Sequence, residues 1–166
     1  FNLLFLGRGR DREGLKKDLT DIVREVKEAG LFDKAYVYGF DEVSADMFGA
    51  VRQTFTDVHE LFPGLRTMTT AYDDSFGQAS GLREAVDLWV PLTDKYRLEE
   101  AERLRAEGKD MWWYICLNPH HPYANWFIEY PAIESRLLTG TMSWRYKAGG
   151  FLYYLINSWR NNSKPI

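Results

Sequence analysis

The chain has 166 residues, a formal net charge of −3 and one cysteine, Cys116. This length fits a single domain, the lack of a long basic run argues against nucleic-acid binding, and one cysteine excludes a disulfide within the chain. No window approaches the ~20 apolar residues of a membrane span. Aromatic residues make up 16% of the chain, which suits either a packed core or walls for a flat ligand such as a sugar ring.

Hydrophobic periodicity predicts helices that alternate with strands along most of the chain. Residues 1–6 are apolar and could be a strand end or a frayed terminus. The predicted strands cover 35–40, 66–70, 86–92, 111–117 and 151–156. The predicted helices run over 15–29 with Gly30 as the cap, from Ser44 to 62, from Thr93 or Asp94 to 108, and from Pro131 to 146.

Strands that alternate with helices at this spacing predict a parallel sheet with right-handed crossovers. An open doubly wound sheet and part of a (β/α)₈ barrel both fit. No Gly-rich phosphate loop follows a strand, and polar and aromatic residues cluster just after the strands, where a barrel builds its active face. We therefore predict an α/β fold that is the C-terminal part of a TIM barrel, about strands four to eight.

A complete barrel needs eight strands and about 250 residues. Numbering the last predicted strand as the eighth makes residues 35–40 the fourth strand. We therefore predict that residues 1–166 form one incomplete catalytic barrel domain, that the N-terminal barrel half is missing, and that residues 35–40 have an open edge. The start at Phe1 rather than Met agrees with a fragment, which we expect to be inactive alone.

Two adjacent carboxylates, Asp41 and Glu42, follow the strand over 35–40. Most glycosidases place two carboxylates on opposite sides of the scissile bond, ~5–5.5 or ~6.5–9.5 Å apart, which adjacent residues cannot easily do. They can divide the work of substrate-assisted hydrolysis: Glu42 protonates the leaving oxygen, and Asp41 holds a 2-acetamido group whose carbonyl attacks the anomeric carbon. The alternative is an acidic pair that only favours the dipole of the next helix.

Further candidate contacts lie in the segments that follow the other strands. By this position we predict that substrate is bound by Tyr72, Asp73, Asn118, His120, Tyr123, Trp126 and Trp159. His120 and His121 could bind a metal, but no third ligand lies at a useful spacing, so we predict neither a metal nor another cofactor. We expect Cys116 to be a small core residue rather than a nucleophile.

Four segments resemble glycoside hydrolase family 123 and the overlapping domain of unknown function 4091. They are YGFDEV at 38–43, VDLWVPL at 86–92, YICLNPHHPYANWFIEYPAIESRLL at 114–138 and GGFLYYLINSW at 149–159. The similarity runs from about residue 34 to residue 159, and the block from YPAIESRLL to GGFLYY is its most specific part.

The resemblance implies a (β/α)₈ catalytic barrel with β-N-acetylgalactosaminidase activity by the substrate-assisted mechanism, without a metal. It gives Asp41 to the acetamido group and makes Glu42 the acid/base. It also implies a glycan or glycosphingolipid-type substrate with terminal β-linked N-acetylgalactosamine, and a periplasmic or secreted protein. The chain departs from the family pattern at Thr139-Gly140-Thr141, where we expect an aromatic wall residue.

We therefore predict an exo-acting, retaining β-N-acetylgalactosaminidase. Two alternatives stay open at this point. One is a carbohydrate-binding or structural relative with an incomplete site, which the missing strands and the altered residues 139–141 favour. The other is a metal-dependent barrel hydrolase that uses His120 and His121.

Overall fold

A five-stranded parallel sheet forms the centre of the computed structural model, which describes residues 1–126 and 129–153. The strands lie in chain order, and a parallel pair formed by the last two strands extends the sheet through a bridge between Leu92 and Tyr114. The strands are β1 (Asn2–Phe5), β2 (Tyr36–Tyr38), β3 (Arg66–Thr69), β4 (Leu88–Trp89), β5 (Asp110–Met111), β6 (Trp113–Tyr114) and β7 (Phe151–Leu152).

Helices connect four of the six successive strand pairs, as expected for parallel pairing, whereas β3 and β4 are joined by a loop without a helix and β5 and β6 are separated by one residue. They are α1 (Arg12–Glu28), α2 (Phe48–Leu61), α3 (Leu98–Ala106), α4 (Ala132–Arg136) and α5 (Ser143–Arg145). Two short 3₁₀ turns cover Phe32–Lys34 and Ala45–Met47, and a π-helical segment, Leu137–Met142, joins α4 to α5. No helix within the described ranges is long and apolar enough to cross a membrane.

The prediction of an open edge at residues 35–40 was wrong. Residues 1–6 contain β1, which pairs with β2 through Asn2 opposite Tyr36 and Phe5 opposite Tyr38. On the barrel numbering used above, β1 takes the third strand position, so one strand of the barrel half that was expected to be missing is present. The sheet does not close into a barrel within the described residues.

Helix α1 confirms the predicted apolar pattern and the Gly30 end, and it begins at Arg12 rather than at residue 15, with Asp11 as a cap that was not predicted. The Asp11 carboxylate accepts a hydrogen bond from the Gly14 amide at 2.8 Å and so caps the first turn. At the other end Gly30 has φ +68°, and the next amide, of Leu31, donates to the Val26 carbonyl at 3.0 Å. A glycine is favoured at this left-handed position, which explains why the helix stops there.

Two helix starts and the interior of one further helix differ from the predictions. Ser44 makes no side-chain cap, and a 3₁₀ turn delays α2 until Phe48. Neither Thr93 nor Asp94 caps α3, which begins at Leu98 because Tyr96 is buried against Trp113 before the helix. The helix predicted from Pro131 to 146 is interrupted by the π-helical segment Leu137–Met142, in which a glycine and two threonines at 139–141 have weak helix propensity.

The two faces of the sheet bury different side chains. The outer face packs on α1, α2 and α3 through a large core that includes Leu19, Val37, Phe55 and Trp89. The inner face carries a smaller cluster of Met68, Leu88, Val90 and Tyr114, with Tyr36, Tyr38, Leu92, Trp112, Cys116 and Leu152 packed against it. This inner face leads to the candidate site.

Candidate active site

A tight turn after β2 places the two adjacent carboxylates. Phe40 and Glu42 have φ of 57° and 50°, left-handed values that cost most side chains free energy. A side chain at Gly39 would clash, because its Cβ would lie 2.9 Å from the Leu6 Cβ. Phe40 is fully buried against Phe55, at 5.5 Å between ring centroids, and so anchors the turn. Asp41 and Glu42 stay exposed above it.

One carboxylate oxygen of Asp41 accepts hydrogen bonds from two hydroxyl groups. The Tyr38 hydroxyl and the Thr70 hydroxyl, the latter at 2.8 Å, both donate to Oδ1. The other oxygen, Oδ2, has no hydrogen-bond partner in the part of the chain that the structure describes. Asp41 is therefore held through one oxygen, and the second remains available to a ligand.

Glu42 is held by a different strand. Its Oε1 accepts a hydrogen bond from the Tyr114 hydroxyl at 2.5 Å, and its backbone amide donates to the Thr70 hydroxyl at 3.0 Å. The Cys116 thiol lies 4.0 Å from the same Oε1. Tyr38 belongs to β2, Tyr114 belongs to β6 and Thr70 follows β3. Side chains from three strands therefore hold the two neighbouring carboxylates from different directions.

Three tyrosines lie beside the acidic pair, and the hydroxyl groups of two of them, Tyr38 and Tyr114, donate hydrogen bonds to it. Burial raises the pKa of Tyr38, and its hydrogen bond to Asp41 raises it further. Burial and the hydrogen bond to Glu42 likewise raise the pKa of Tyr114. Burial also raises the pKa of Tyr72, with Glu42 adding to the effect and the hydrogen bond with Tyr114 opposing it. A tyrosine in this state donates a hydrogen bond and adds no negative charge to the site.

Both carboxylates line one cavity of about 750 Å³ on the inner face, a size typical of small-molecule sites. Its walls combine apolar, aromatic and polar groups from β1, β2, β3, β6 and β7. The lining residues are Asn2, Phe5, Tyr36, Tyr38, Asp41, Glu42, Met68, Thr70, Tyr114, Cys116, Leu117, Asn118, Leu152 and Tyr153. The cavity can therefore take a polar ligand with one apolar face.

Six of the seven other predicted site residues have described positions, and three of these, Asn118, Tyr72 and Trp126, lie on or beside this cavity. Asn118 lines it, and Tyr72, half-exposed, reaches Glu42 and Tyr114 at its rim. Trp126 does not line the cavity but packs on Phe151 and on the cavity residue Tyr153, with ring centroids 4.7 and 4.8 Å apart. Trp159 lies outside the described residues.

Asp73 has a structural environment. Its carboxylate accepts the hydroxyls of Ser75 and Ser80, at 2.6 and 2.5 Å, and the amides of Ser75 and Gly77, at 2.9 Å each. Burial alone would raise the pKa of Asp73, but these hydrogen bonds outweigh it and lower the pKa. With both oxygens occupied, Asp73 organises residues 73–80 beside a smaller cavity of about 220 Å³.

The loop after β6 contains the two histidines considered as ligands. His120 and Tyr123 are exposed and do not line the cavity, and the His121 ring stacks on Tyr130 at 4.5 Å. No three His, Cys, Asp or Glu side chains within residues 1–126 and 129–153 lie close enough to hold a metal ion. Cys116, expected in the core, lines the cavity instead, because it points to the inner face two residues after Tyr114.

The residues that the sequence analysis missed are those that hold the carboxylates: Tyr38, Thr70 and Tyr114. A period-two count along each strand would have found them, because alternate residues share one face of a sheet. Tyr36 and Tyr38 share the inner face, as do Met68 and Thr70, and Tyr114 and Cys116. The altered residues 139–141 are exposed and contribute nothing to this cavity.

Comparison with known proteins points to one family. The model of the glycoside hydrolase 123 catalytic domain matches residues 6–165. A solved family 123 glycoside hydrolase from Clostridium perfringens, studied for its hydrolysis of glycolipid glycans, has a TM-score of 0.62 and 18% identity. The match covers 91% of this chain but only 26% of that chain, and at this identity it shows a shared fold. No curated protein sequence matches.

Proposed function

Because the chain belongs to glycoside hydrolase family 123, we propose that it carries the catalytic residues of an exo-acting, retaining β-N-acetylgalactosaminidase that uses substrate-assisted catalysis. The observation that carries this proposal is the separate anchoring of Asp41 and Glu42 above one cavity. We further propose that residues 1–166 are one part of a (β/α)₈ catalytic domain, whose remaining strands would complete the wall of the cavity.

In this proposal Asp41 acts on the acetamido group of the substrate. Its Oδ1 is fixed by Tyr38 and Thr70, and its Oδ2 can accept the acetamido N–H. That contact aims the acetamido carbonyl oxygen at the anomeric carbon and stabilises the positive charge of the oxazolinium intermediate. A preorganised carboxylate provides this stabilisation without reorganisation during the reaction.

Glu42 is the acid and then the base. It gives its proton to the glycosidic oxygen while the acetamido oxygen bonds to the anomeric carbon and the leaving group departs. Water then attacks the same carbon, Glu42 takes a proton from the water, and the ring of the intermediate opens. Two successive inversions retain the anomeric configuration. The hydrogen bond from Tyr114 to Oε1 fixes the carboxyl group that carries out both transfers.

The cavity and the relative both support the proposed substrate class. The cavity has aromatic walls from Tyr36, Tyr38 and Phe5 and polar groups from Asn2 and Asn118, a combination that suits one sugar ring. The Clostridium perfringens enzyme acts on glycolipid glycans. We therefore propose a glycan with terminal β-linked N-acetylgalactosamine as the substrate, for example the headgroup of a glycosphingolipid.

The test compares three aryl glycosides on the longest form of the protein that contains this chain. We expect turnover of p-nitrophenyl β-N-acetylgalactosaminide and none of the N-acetylglucosamine and galactose analogues. Asp41→Asn should lower kcat by about a hundredfold, the usual cost of removing one preorganised group at the reacting centre. Asp46→Asn, an exposed aspartate five residues away, is the matched control and should change nothing.

The other outcomes discriminate between functions. Equal turnover of the galactose analogue would rule out assistance by the acetamido group. If the folded protein binds N-acetylgalactosamine but hydrolyses none of the three glycosides, the carbohydrate-binding alternative replaces this proposal. That alternative has one supporting observation, since the sheet does not close around the cavity within the described residues.

A further inference from the structure

Thr70 occupies a central position between the two carboxylates. It follows the last residue of β3 and shares the inner face with Met68, whereas Thr69 is buried on the other face. Its single hydroxyl lies 2.8 Å from the Asp41 Oδ1, 3.0 Å from the Tyr38 hydroxyl and 3.0 Å from the Glu42 amide nitrogen. One side chain thus contacts both residues of the acidic pair and a tyrosine that supports one of them.

The number of available protons fixes the direction of these hydrogen bonds. The Glu42 amide can only donate, so the Thr70 oxygen accepts from it. The Thr70 hydroxyl has one proton, which it donates in a hydrogen bond to Asp41 Oδ1. The Tyr38 hydroxyl also donates to that oxygen. Thr70 therefore accepts from the backbone of one carboxylate residue and donates to the side chain of the other.

The hydrogen bond from the Glu42 amide is important because the backbone of Glu42 has a left-handed conformation, with φ of 50°. A residue other than glycine holds such a conformation only when its surroundings stabilise it. Two hydrogen bonds stabilise the backbone here. The Glu42 amide donates to the Thr70 hydroxyl, and the carbonyl of the next residue, Val43, accepts from the Tyr72 amide at 2.8 Å. Without the Thr70 hydroxyl, Glu42 has no partner for its amide among these contacts.

We infer that Thr70 is a positioning residue that orients both carboxylates through one hydroxyl group. Its hydroxyl fixes the Asp41 side chain and the Glu42 backbone at once, so that the two groups keep a constant relative orientation. This inference rests on the proposed function, since it assigns the two groups whose alignment Thr70 controls. Thr70 itself touches neither the bond that breaks nor the bond that forms.

The first test is Thr70→Val, which keeps the shape and removes the hydroxyl. In the longest form of the protein that contains this chain, we expect kcat on p-nitrophenyl β-N-acetylgalactosaminide to fall about a hundredfold, as for a misplaced catalytic group. KM should change much less, because the sugar contacts remain. Thr70→Ser restores the hydroxyl and should return kcat close to the wild-type value.

Thr67→Val is the matched control for a general loss of stability. Thr67 lies at the other end of β3, and its buried hydroxyl donates to the Ala85 carbonyl at 2.7 Å. The same substitution there should lower Tm while leaving kcat unchanged at temperatures where the variant is folded. If Thr67→Val lowers kcat as much as Thr70→Val, the effect of Thr70 is only structural and the inference is overturned.

A second measurement does not depend on activity. Hydrogen exchange at the Glu42 amide should become about tenfold faster in Thr70→Val, since the variant loses the acceptor of that amide. It should stay slow in Thr70→Ser and in Thr67→Val. An unchanged Glu42 exchange rate contradicts the inference whether or not the protein is active.

The two proposals can therefore fail separately. A folded wild-type protein without hydrolase activity rejects the proposed function, while the exchange rates still decide whether Thr70 holds Glu42. An active wild type with an equally active Thr70→Val variant rejects the inference and leaves the proposed function standing.

Discussion

The two ends of the sheet carry carboxylates in opposite environments. At the carboxyl end, Asp41 and Glu42 are exposed, line a cavity and are held by hydroxyl groups. At the amino end, Asp87 lies just before β4 between neighbouring elements. Its carboxylate meets His59 Nε2 at 2.8 Å and the Thr67 amide at 2.8 Å, and Lys109 lies 3.8 Å away.

This difference separates a carboxylate that can interact with a ligand from one that only stabilises the fold. Burial would raise the pKa of Asp87, but the hydrogen bonds from His59 and Thr67, with the charge of Lys109, lower it. Asp87 contacts His59 in α2, Thr67 in β3 and Lys109 just before β5, so its charge interacts with groups of the protein itself. Asp41 keeps one oxygen without a partner among the described residues, so its charge is available to a ligand.

The largest expected effect comes from Glu42→Gln. Without the acid/base, kcat/KM on a glycan substrate with a sugar leaving group should fall by about 10²–10⁴-fold, the usual contribution of general acid–base catalysis. The free energy of unfolding should remain close to the wild-type value, because Glu42 is exposed. Steady-state kinetics and urea unfolding of the same preparation measure both quantities.

The leaving group provides the control for that variant. A p-nitrophenyl group departs with little help from an acid, so its substrate should lose less activity than the glycan in Glu42→Gln. An equal loss on both substrates would contradict the acid role of Glu42.

Asp87→Asn should show the reverse pattern. We expect a loss of about 1–3 kcal/mol in the free energy of unfolding, because the amide keeps one acceptor oxygen but loses the negative charge and presents N–H groups to Lys109. Because the pKa of Asp87 is lowered on folding, its contribution is present above the ordinary aspartate pKa and disappears as pH falls through the lower folded value. The stability difference between wild type and variant should therefore shrink in acid.

Activity provides the second half of that test. Asp87→Asn should keep the wild-type kcat at a temperature where it is folded. A large loss of kcat without a loss of stability would show that the two ends of the sheet are not functionally separate.

A smaller effect is expected for Tyr114→Phe. The variant loses the 2.5 Å hydrogen bond to Glu42 Oε1 but keeps the aromatic ring in the cavity wall. We expect about a tenfold lower kcat/KM, which corresponds to about 1.4 kcal/mol of transition-state stabilisation. Tyr36→Phe is the control, since Tyr36 lines the same cavity and no hydrogen bond to either carboxylate is found for its hydroxyl among the described residues.

Much of the fold could be predicted because it follows from local patterns. The apolar spacing of α1 and its Gly30 cap, and the alternation of strands with helices, predict a parallel α/β sheet. The boundaries of α2 and α3 could not be predicted in this way. They depend on tertiary contacts such as the burial of Tyr96 against Trp113, which no local signal contains.

The site was predictable in part for a similar reason. Asp41 and Glu42 stand out because they directly follow a strand, and the structure places both on the cavity. The rule that residues after strands face the site is too coarse for the loops, where direction depends on each turn. This rule selected Asp73, whose carboxylate is hydrogen-bonded within its own loop. It did not select Thr70 or Tyr114, which can be found only from the alternation of side chains between the two faces of a strand.

The smallest expected effect tests this last distinction within one loop. Asn118 lines the cavity and His120 does not, although both follow β6. Asn118→Ala should raise KM, because it removes a polar group from the wall, whereas His120→Ala should leave kcat and KM unchanged and alter stability by no more than about 0.5 kcal/mol. A raised KM in His120→Ala would show that the loop moves towards the bound sugar, and His120 would then join the substrate-binding residues as the sequence predicts.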